Sequence, residues 1–174
     1  PNDDLWISSD KGLFVKHNEE WEKILGADGK YNFATEIKQR GVFISSTDRG
    51  IDIFQNKQIT GHINTSTGLP TNRVRAIYEA PQVASNSILI GTEDKGLCLW
   101  HLDKGLTRCA STKEGLVHYG VHRILPDQKG RLWFSSNMGI YAIHIEDLIK
   151  YFNFKTDYLR NFRFNEQDGM VDSE

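Results

Sequence analysis

The residues best suited to binding chemistry in this sequence lie in three short groups: Asn72, Arg73 and Arg75; His118, Tyr119 and His122; and the turn that holds Asn137 and Met138. An arginine fork takes a carboxylate or phosphate in two-point contact, and histidine gains or loses a proton near neutral pH. A tyrosine ring adds an apolar face with a polar tip. Brought together in a concavity, such groups form a small-molecule site; left apart, they are solvated turns on a scaffold. His118 and His122 are four apart, a spacing that sets two imidazoles on one side of a strand or a helix as in a metal pair. The helical zinc-protease pattern also needs a glutamate after the first histidine, and Tyr119 stands there. The acidic residues show no calcium-loop spacing, so neither a metal nor a cofactor is expected. There is no Gly-x-Ser-x-Gly elbow, no phosphate-binding glycine loop and no carboxylate pair set apart from the turns, and no catalytic residue is assigned. The chain is expected to bind rather than to catalyse.

Composition narrows the partners. Of 174 residues, 39% are hydrophobic and 25% charged, enough to bury a core, and the net charge of −2 provides no field that would follow a phosphate backbone. Nucleic acid is excluded as a partner on that ground. No apolar run approaches the roughly 20 residues that span a bilayer. The opening Pro1-Asn2-Asp3-Asp4 has neither a basic nor an apolar leader region. The expectation is a piece of a longer protein, with contact to a membrane only through segments outside this chain.

What must position the binding groups is an internal repeat. Leu5-Trp6-Ile7-Ser8-Ser9 leads to Gly12-Leu13-Phe14, and Val42-Phe43-Ile44-Ser45-Ser46 leads to Gly50-Ile51-Asp52-Ile53. Ile88-Leu89-Ile90-Gly91-Thr92 with Gly96-Leu97-Cys98-Leu99 and Leu132-Trp133-Phe134-Ser135-Ser136 with Gly139-Ile140-Tyr141 complete the set. The glycines are 38, 46 and 43 residues apart, close to the length of a four-stranded propeller blade. Each copy is a strand, a polar turn ending in a glycine of positive φ, and a second strand. A further shared element, Gly68-Leu69-Pro70-Thr71-Asn72-Arg73-Val74 and Gly115-Leu116-Val117-His118-Tyr119-Gly120-Val121, supplies a turn and the preceding strand; the first copy lacks it.

The fold class that follows is all-β: about four four-stranded antiparallel sheets stacked as β-propeller blades, part of a larger propeller. A sandwich does not predict near-copies at this period, and a solenoid would have shorter ones. Approximate blades are 1–28, 29–67, 68–114 and 115–168, with 169–174 opening a next repeat. Strand A of each blade falls around Val74–Tyr78 or Val121–Leu125, with a degenerate version around Asn32–Ile37, and strand D at places such as Thr107–Ala110. Ile145-Glu146-Asp147-Leu148-Ile149-Lys150-Tyr151 has apolar residues at helical spacing and reads as a short helix or a loop between the last two strands of the fourth blade. In such a meander the connections between blades and the central hairpin turns emerge on one face, at the mouth of the channel. That face collects the three groups above and the turns Asp48-Arg49 and Glu93-Asp94-Lys95. Trp6 and Trp133 fill equivalent positions and are read as blade packing; Trp21 and Trp100 lie outside that register. A hairpin turn centred on Asp103-Lys104 would set Cys98 opposite Cys109, close enough for a disulfide. A turn one residue longer would break that register and leave two buried thiols.

Gly-Leu-Pro-x-Asn-x-Val followed by a strand ending Ile-Gly-Thr and then Gly-Leu, here Gly68 to Val74 with Ile90-Gly91-Thr92 and Gly96-Leu97, resembles the two-component regulator propeller family, and the likeness extends from Leu5 to Glu174. The resemblance implies a periplasmic or extracellular ligand-sensing part of an inner-membrane sensor. In that family it is typically followed by an immunoglobulin-like domain, a membrane span and a histidine kinase or diguanylate cyclase. Phe43 and Leu89 depart from the family pattern by replacing its tryptophan. The function expected is therefore a non-catalytic sensor segment for a small molecule or carbohydrate. A protein-interaction scaffold, with self-association through blade edges, and an extracellular polysaccharide lyase or hydrolase are the alternatives.

Overall fold

The computed structural model describes residues 5–9, 12–17, 19–25, 30–56, 58–164 and 168–169. They form four antiparallel sheets. The first contains β1 (Leu5–Ser9), β2 (Gly12–His17) and β3 (Glu20–Leu25), and the second β4 (Tyr31–Ile37), β5 (Gly41–Ser46), β6 (Ile51–Gln55) and β7 (Gln58–Ile63). The third contains β8 (Val74–Glu79), β9 (Ser87–Thr92), β10 (Leu97–His101) and β11 (Gly105–Ala110). The fourth contains β12 (Arg123–Pro126), β13 (Arg131–Ser136), β14 (Gly139–His144) and β15 (Phe162–Phe164). Strand order within each sheet follows the chain, which makes every sheet a meander. The first has three strands among the described residues. Of the segment that opens a next repeat, Gly169 has φ +95° and Met170 to Glu174 lie outside the described residues.

The chain divides into two compact units, Pro1–Val74 and Arg75–Glu174. In the first, Leu13, Tyr31 and Ile44 are buried together with Trp6, Ile24, Ala34, Val42 and Phe54 against them. Trp6 meets Phe54 edge-on with ring centroids 5.9 Å apart, a packing role. Asp52 is buried on β6 and is satisfied there: the Tyr31 hydroxyl donates to it, and His62, its cross-strand neighbour on β7, places Nδ1 2.6 Å from Oδ1.

In the second unit a cluster of buried residues joins the third and fourth sheets. Alternation along β13 sends Leu132 and Phe134 inward, where they face Ile143 and Tyr141 across the ladder, and Phe134 stacks on Tyr141 at 5.1 Å. These join Ala76, Leu89, Leu97, Leu99, Leu116 and Val121. Trp133, on the opposite side of the alternation, is half-buried against Phe164 and donates Nε1–H to Asp127. Between β14 and β15 the chain forms α1 (Ile145–Phe152), whose Leu148, Tyr151 and Phe152 complete the core. Arg108 of β11 holds the helix end: its Nη1 donates to the Tyr151 and Thr156 carbonyls, and the guanidinium lies 3.9 Å from the Tyr151 ring centre. The Tyr151 hydroxyl donates in turn to the Cys109 carbonyl.

The four repeat glycines, Gly12, Gly50, Gly96 and Gly139, all have φ between roughly +80° and +125°. At Gly96 a side chain is excluded twice over, since an added Cβ would also fall 1.9 Å from the Ala110 carbonyl oxygen. The connections that follow β7 and β11 are capped 3₁₀ turns: Asn64 caps Thr65–Thr67 and Ser111 caps Thr112–Glu114, each with a reciprocal capping box and a left-handed glycine, Gly68 or Gly115, at its end. The Ser111 hydroxyl, outweighing burial, holds the Glu114 carboxyl below its usual range.

Cys98 stands opposite Cys109 and the two are joined by a disulfide. The turn is not centred on Asp103-Lys104. His101 pairs Gly105, so the turn is centred on Asp103, and a bulge beyond Trp100 inserts one residue of β11 and restores the register before the cysteines.

Candidate functional site

Strand A of the third blade starts beside the end of β9, where the β9–β10 turn begins, because adjacent antiparallel strands run in opposite directions. Arg75 at the head of β8 thereby meets Glu93, just past the end of β9, and Arg75 Nε donates to a Glu93 carboxylate oxygen. The chain entering the next blade crosses the same place. The Val121 N–H donates to the Thr92 carbonyl, the Gly96 N–H to the Tyr119 carbonyl, and the His122 N–H to the Ser135 carbonyl, which fixes this segment to both sheets. Gly91 leaves room for the crossing: a Cβ there would lie 2.6 Å from the Val121 carbonyl oxygen.

This geometry gathers four of the sequence-identified residues, Arg75, His118, Tyr119 and His122, in the second unit. Gly120 is the hub. A Cβ added to it would lie 3.0 Å from His122 Nε2 and 3.1 Å from both His118 Nδ1 and the Glu93 carbonyl oxygen. His118 Nδ1 accepts the Gly120 N–H at 2.9 Å, which occupies that lone pair and steers the ring. Tyr119 lies against the His118 ring at 4.1 Å between centroids and is half-exposed. His122 Nε2 is buried and has no hydrogen-bond partner among the described residues. Burial holds the His122 imidazole below its ordinary pKa; Glu93 opposes this, while Arg75, His118 and Arg123 add to it. Arg123 bridges the Arg75 and His122 carbonyls through Nη1.

The remaining sequence-identified residues are placed differently. Asn72 and Arg73 belong to the first unit. The Asn72 side chain accepts the Thr65 N–H and its carbonyl accepts the Gly50 N–H, so Asn72 braces its own loop. Arg73 is exposed beside it. Asn137 is exposed in the β13–β14 turn, where the Ser136 hydroxyl organises the backbone. Among the described residues no three His, Cys, Asp or Glu side chains converge to hold a metal ion, and no helix is long and apolar enough to cross a membrane.

Glu93 was placed on this face from sequence as one acid of a polar turn, with nothing in the local sequence to single it out as the partner of Arg75. Asp127 was missed outright. It accepts the Lys129 and Arg131 N–H groups, Arg131 Nε and Trp133 Nε1, and braces the turn into β13. Partial burial pushes its carboxyl up, but the bonds from Trp133 and Arg131 prevail and hold it well below the usual carboxylate range. The signal was an acid six residues before the repeat tryptophan, present in one copy only.

No protein-family model matches the chain, and no curated protein does. Solved structures do. An extracellular domain assigned to a hybrid two-component system of B. thetaiotaomicron matches 97% of this chain at 18% identity with a TM-score of 0.73, and the match spans 22% of that structure. An extracellular domain assigned to a one-component system of the same organism matches 82% at 17% identity with a TM-score of 0.65, again over 22% of its length. The WD40 domain of Neurospora crassa Pan2 matches 83% at 14% identity with a TM-score of 0.61, over 44% of its length. The chain thus spans about a fifth of the two extracellular domains. At these identities the likeness is one of fold: the sheets of this chain are blades of a β-propeller.

Proposed function

We propose that this chain is a ligand-sensing segment of an extracytoplasmic sensor in a signal-transduction protein, and that it binds without catalysing. The observation that carries this is the convergence of Arg75, Glu93, His118, Tyr119 and His122 around Gly120, on loops pinned at both sides to packed sheets. Rigid support under mixed polar and aromatic groups suits recognition. The lone pair of His118 Nδ1 is already taken by the Gly120 N–H, which removes that atom as a proton acceptor and favours a positioning role. The fold shared with extracellular domains of two-component and one-component systems supports the extracytoplasmic setting by analogy.

A panel of mono- and oligosaccharides and small organic acids, screened by thermal melting of the 174-residue chain, tests this reading. A ligand at 100 times its Kd stabilises the folded state by about 2.7 kcal/mol. At least one compound is expected to raise the melting temperature, and the rise is expected to vanish in the Arg75→Gln/His122→Gln variant. A panel that moves nothing, or a rise that the double variant retains, overturns the proposal.

A further inference from the structure

The groups around Gly120 differ in what they have left to offer. Arg75 is held by its Nε edge on Glu93, and its Nη1 and Nη2 groups donate no hydrogen bond among the described residues. That outer pair of donors is the fork that takes a planar or tetrahedral anion in two-point contact. His122 brings a buried Nε2 without a partner, and a buried polar atom left unpaired is costly unless something comes to satisfy it. Arg123 adds a second positive charge beside both, and Asp94, next along the turn from Glu93, is already engaged. Gly120 packs directly against His122 Nε2 and has no room for a side chain, since one would begin 3.0 Å from that nitrogen.

We infer that this cluster receives the anionic group of a ligand, a carboxylate, sulfate or phosphate, with the Arg75 fork and His122 Nε2 as its two donors. The inference rests on the proposed ligand-sensing role of the same site and names the chemistry that the site selects. Anion binding and protonation of His122 then favour one another, because only the protonated ring carries a full charge and an N–H at both nitrogens. The charged and titratable groups acting on that ring are Glu93 from the β9–β10 turn, Arg75 from β8, His118 from the incoming loop and Arg123 from β12. Affinity for the anion therefore rises as pH falls through the titration of His122.

The test follows the His122 ring resonance by NMR in the 174-residue chain during titration with sodium sulfate, against sodium chloride at matched ionic strength. Sulfate is expected to move the resonance to saturation while chloride does not, with tighter binding at lower pH. Losing one charge-assisted donor costs about tenfold or more in affinity, so Arg75→Lys, which keeps the charge but not the fork, is expected to weaken sulfate by at least that factor. His122→Gln is expected to remove the pH dependence, followed on the Gly120 amide. Two results overturn the inference: a ring that sulfate moves no more than chloride does, or sulfate binding that Arg75→Lys leaves intact. If a neutral sugar shifts Tyr119 and His122 while sulfate does not, the anion inference falls and the ligand site stands; if neither shifts them, both fall.

Discussion

Removing the Cys98–Cys109 bond has a cost that can be worked from the chain. The bond joins residues 11 apart in sequence, and the loop entropy it withholds from the unfolded chain is worth about 2.8 kcal/mol at 25 °C. For a chain of 174 residues this lowers the melting temperature by about 6–11 °C. The loss is expected to be local. Cys109 lies on β11, an edge strand, where its carbonyl accepts the Tyr151 hydroxyl and its neighbour Arg108 holds the Tyr151 and Thr156 carbonyls. Loosening β11 therefore loosens the seat of α1. The assay is melting with and without reductant, and of the Cys98→Ser/Cys109→Ser variant, together with hydrogen exchange read by mass spectrometry. Reduced and variant chains are expected to melt lower by the stated amount, with faster exchange confined to residues 105–110 and 145–159. A shift under about 2 °C, or faster exchange spread evenly over all four sheets, refutes the reasoning that the bond anchors β11.

Arg108→Met removes two charge-assisted hydrogen bonds to carbonyls and is expected to cost about 2–4 kcal/mol in denaturant unfolding, whereas Asp157→Asn, at the exposed end of the same guanidinium, costs under about 0.5 kcal/mol. Equal losses would contradict the assignment of Arg108 to the helix end. For Asp127 the sign is set by a folded-state pKa below the unfolded one: its stabilisation is present above the ordinary carboxylate range and drains away as pH falls below about 4. The stability gap between the native chain and Asp127→Asn is thus expected to narrow on acidification, and a gap that widens would show the sign to be wrong. Gly96→Ala, strained by φ and by the Ala110 carbonyl, is expected to lose at least about 2 kcal/mol, against about 1 kcal/mol at Gly130, where φ is +71° but an added Cβ meets nothing within 4 Å.

How much of this was legible in the sequence depended on whether a feature repeated. The hairpin glycines and the strands around them recur at a fixed period, and repetition makes even weak turn signals additive. The opposition of Cys98 and Cys109 was also accessible, although by a different route than a centred turn, since one bulge offsets a shift of one residue. α1 was legible as an apolar pattern, but its length and the seat that Arg108 gives it depend on a partner more than forty residues away. The site divided in the same way. Arg75, His118, Tyr119 and His122 stood out by type and by their place in the repeat. The pairing of Glu93 with Arg75 became visible only once β8 lay beside β9, because an ion pair between residues 18 apart leaves no mark on local pattern. Asn72 looked like a ligand group by type, whereas its side chain oxygen holds the backbone of its own loop.

The central claim is that the loops around Gly120 form the binding site of this propeller segment. Backbone amide NMR of the 174-residue chain, titrated with each compound that raises its melting temperature, tests it most directly. The account predicts shifts concentrated at Arg75, Glu93 and residues 118–123, with α1 and β15 unmoved. Shifts centred on α1, β11 or β15, with the Gly120 loop silent, would contradict it.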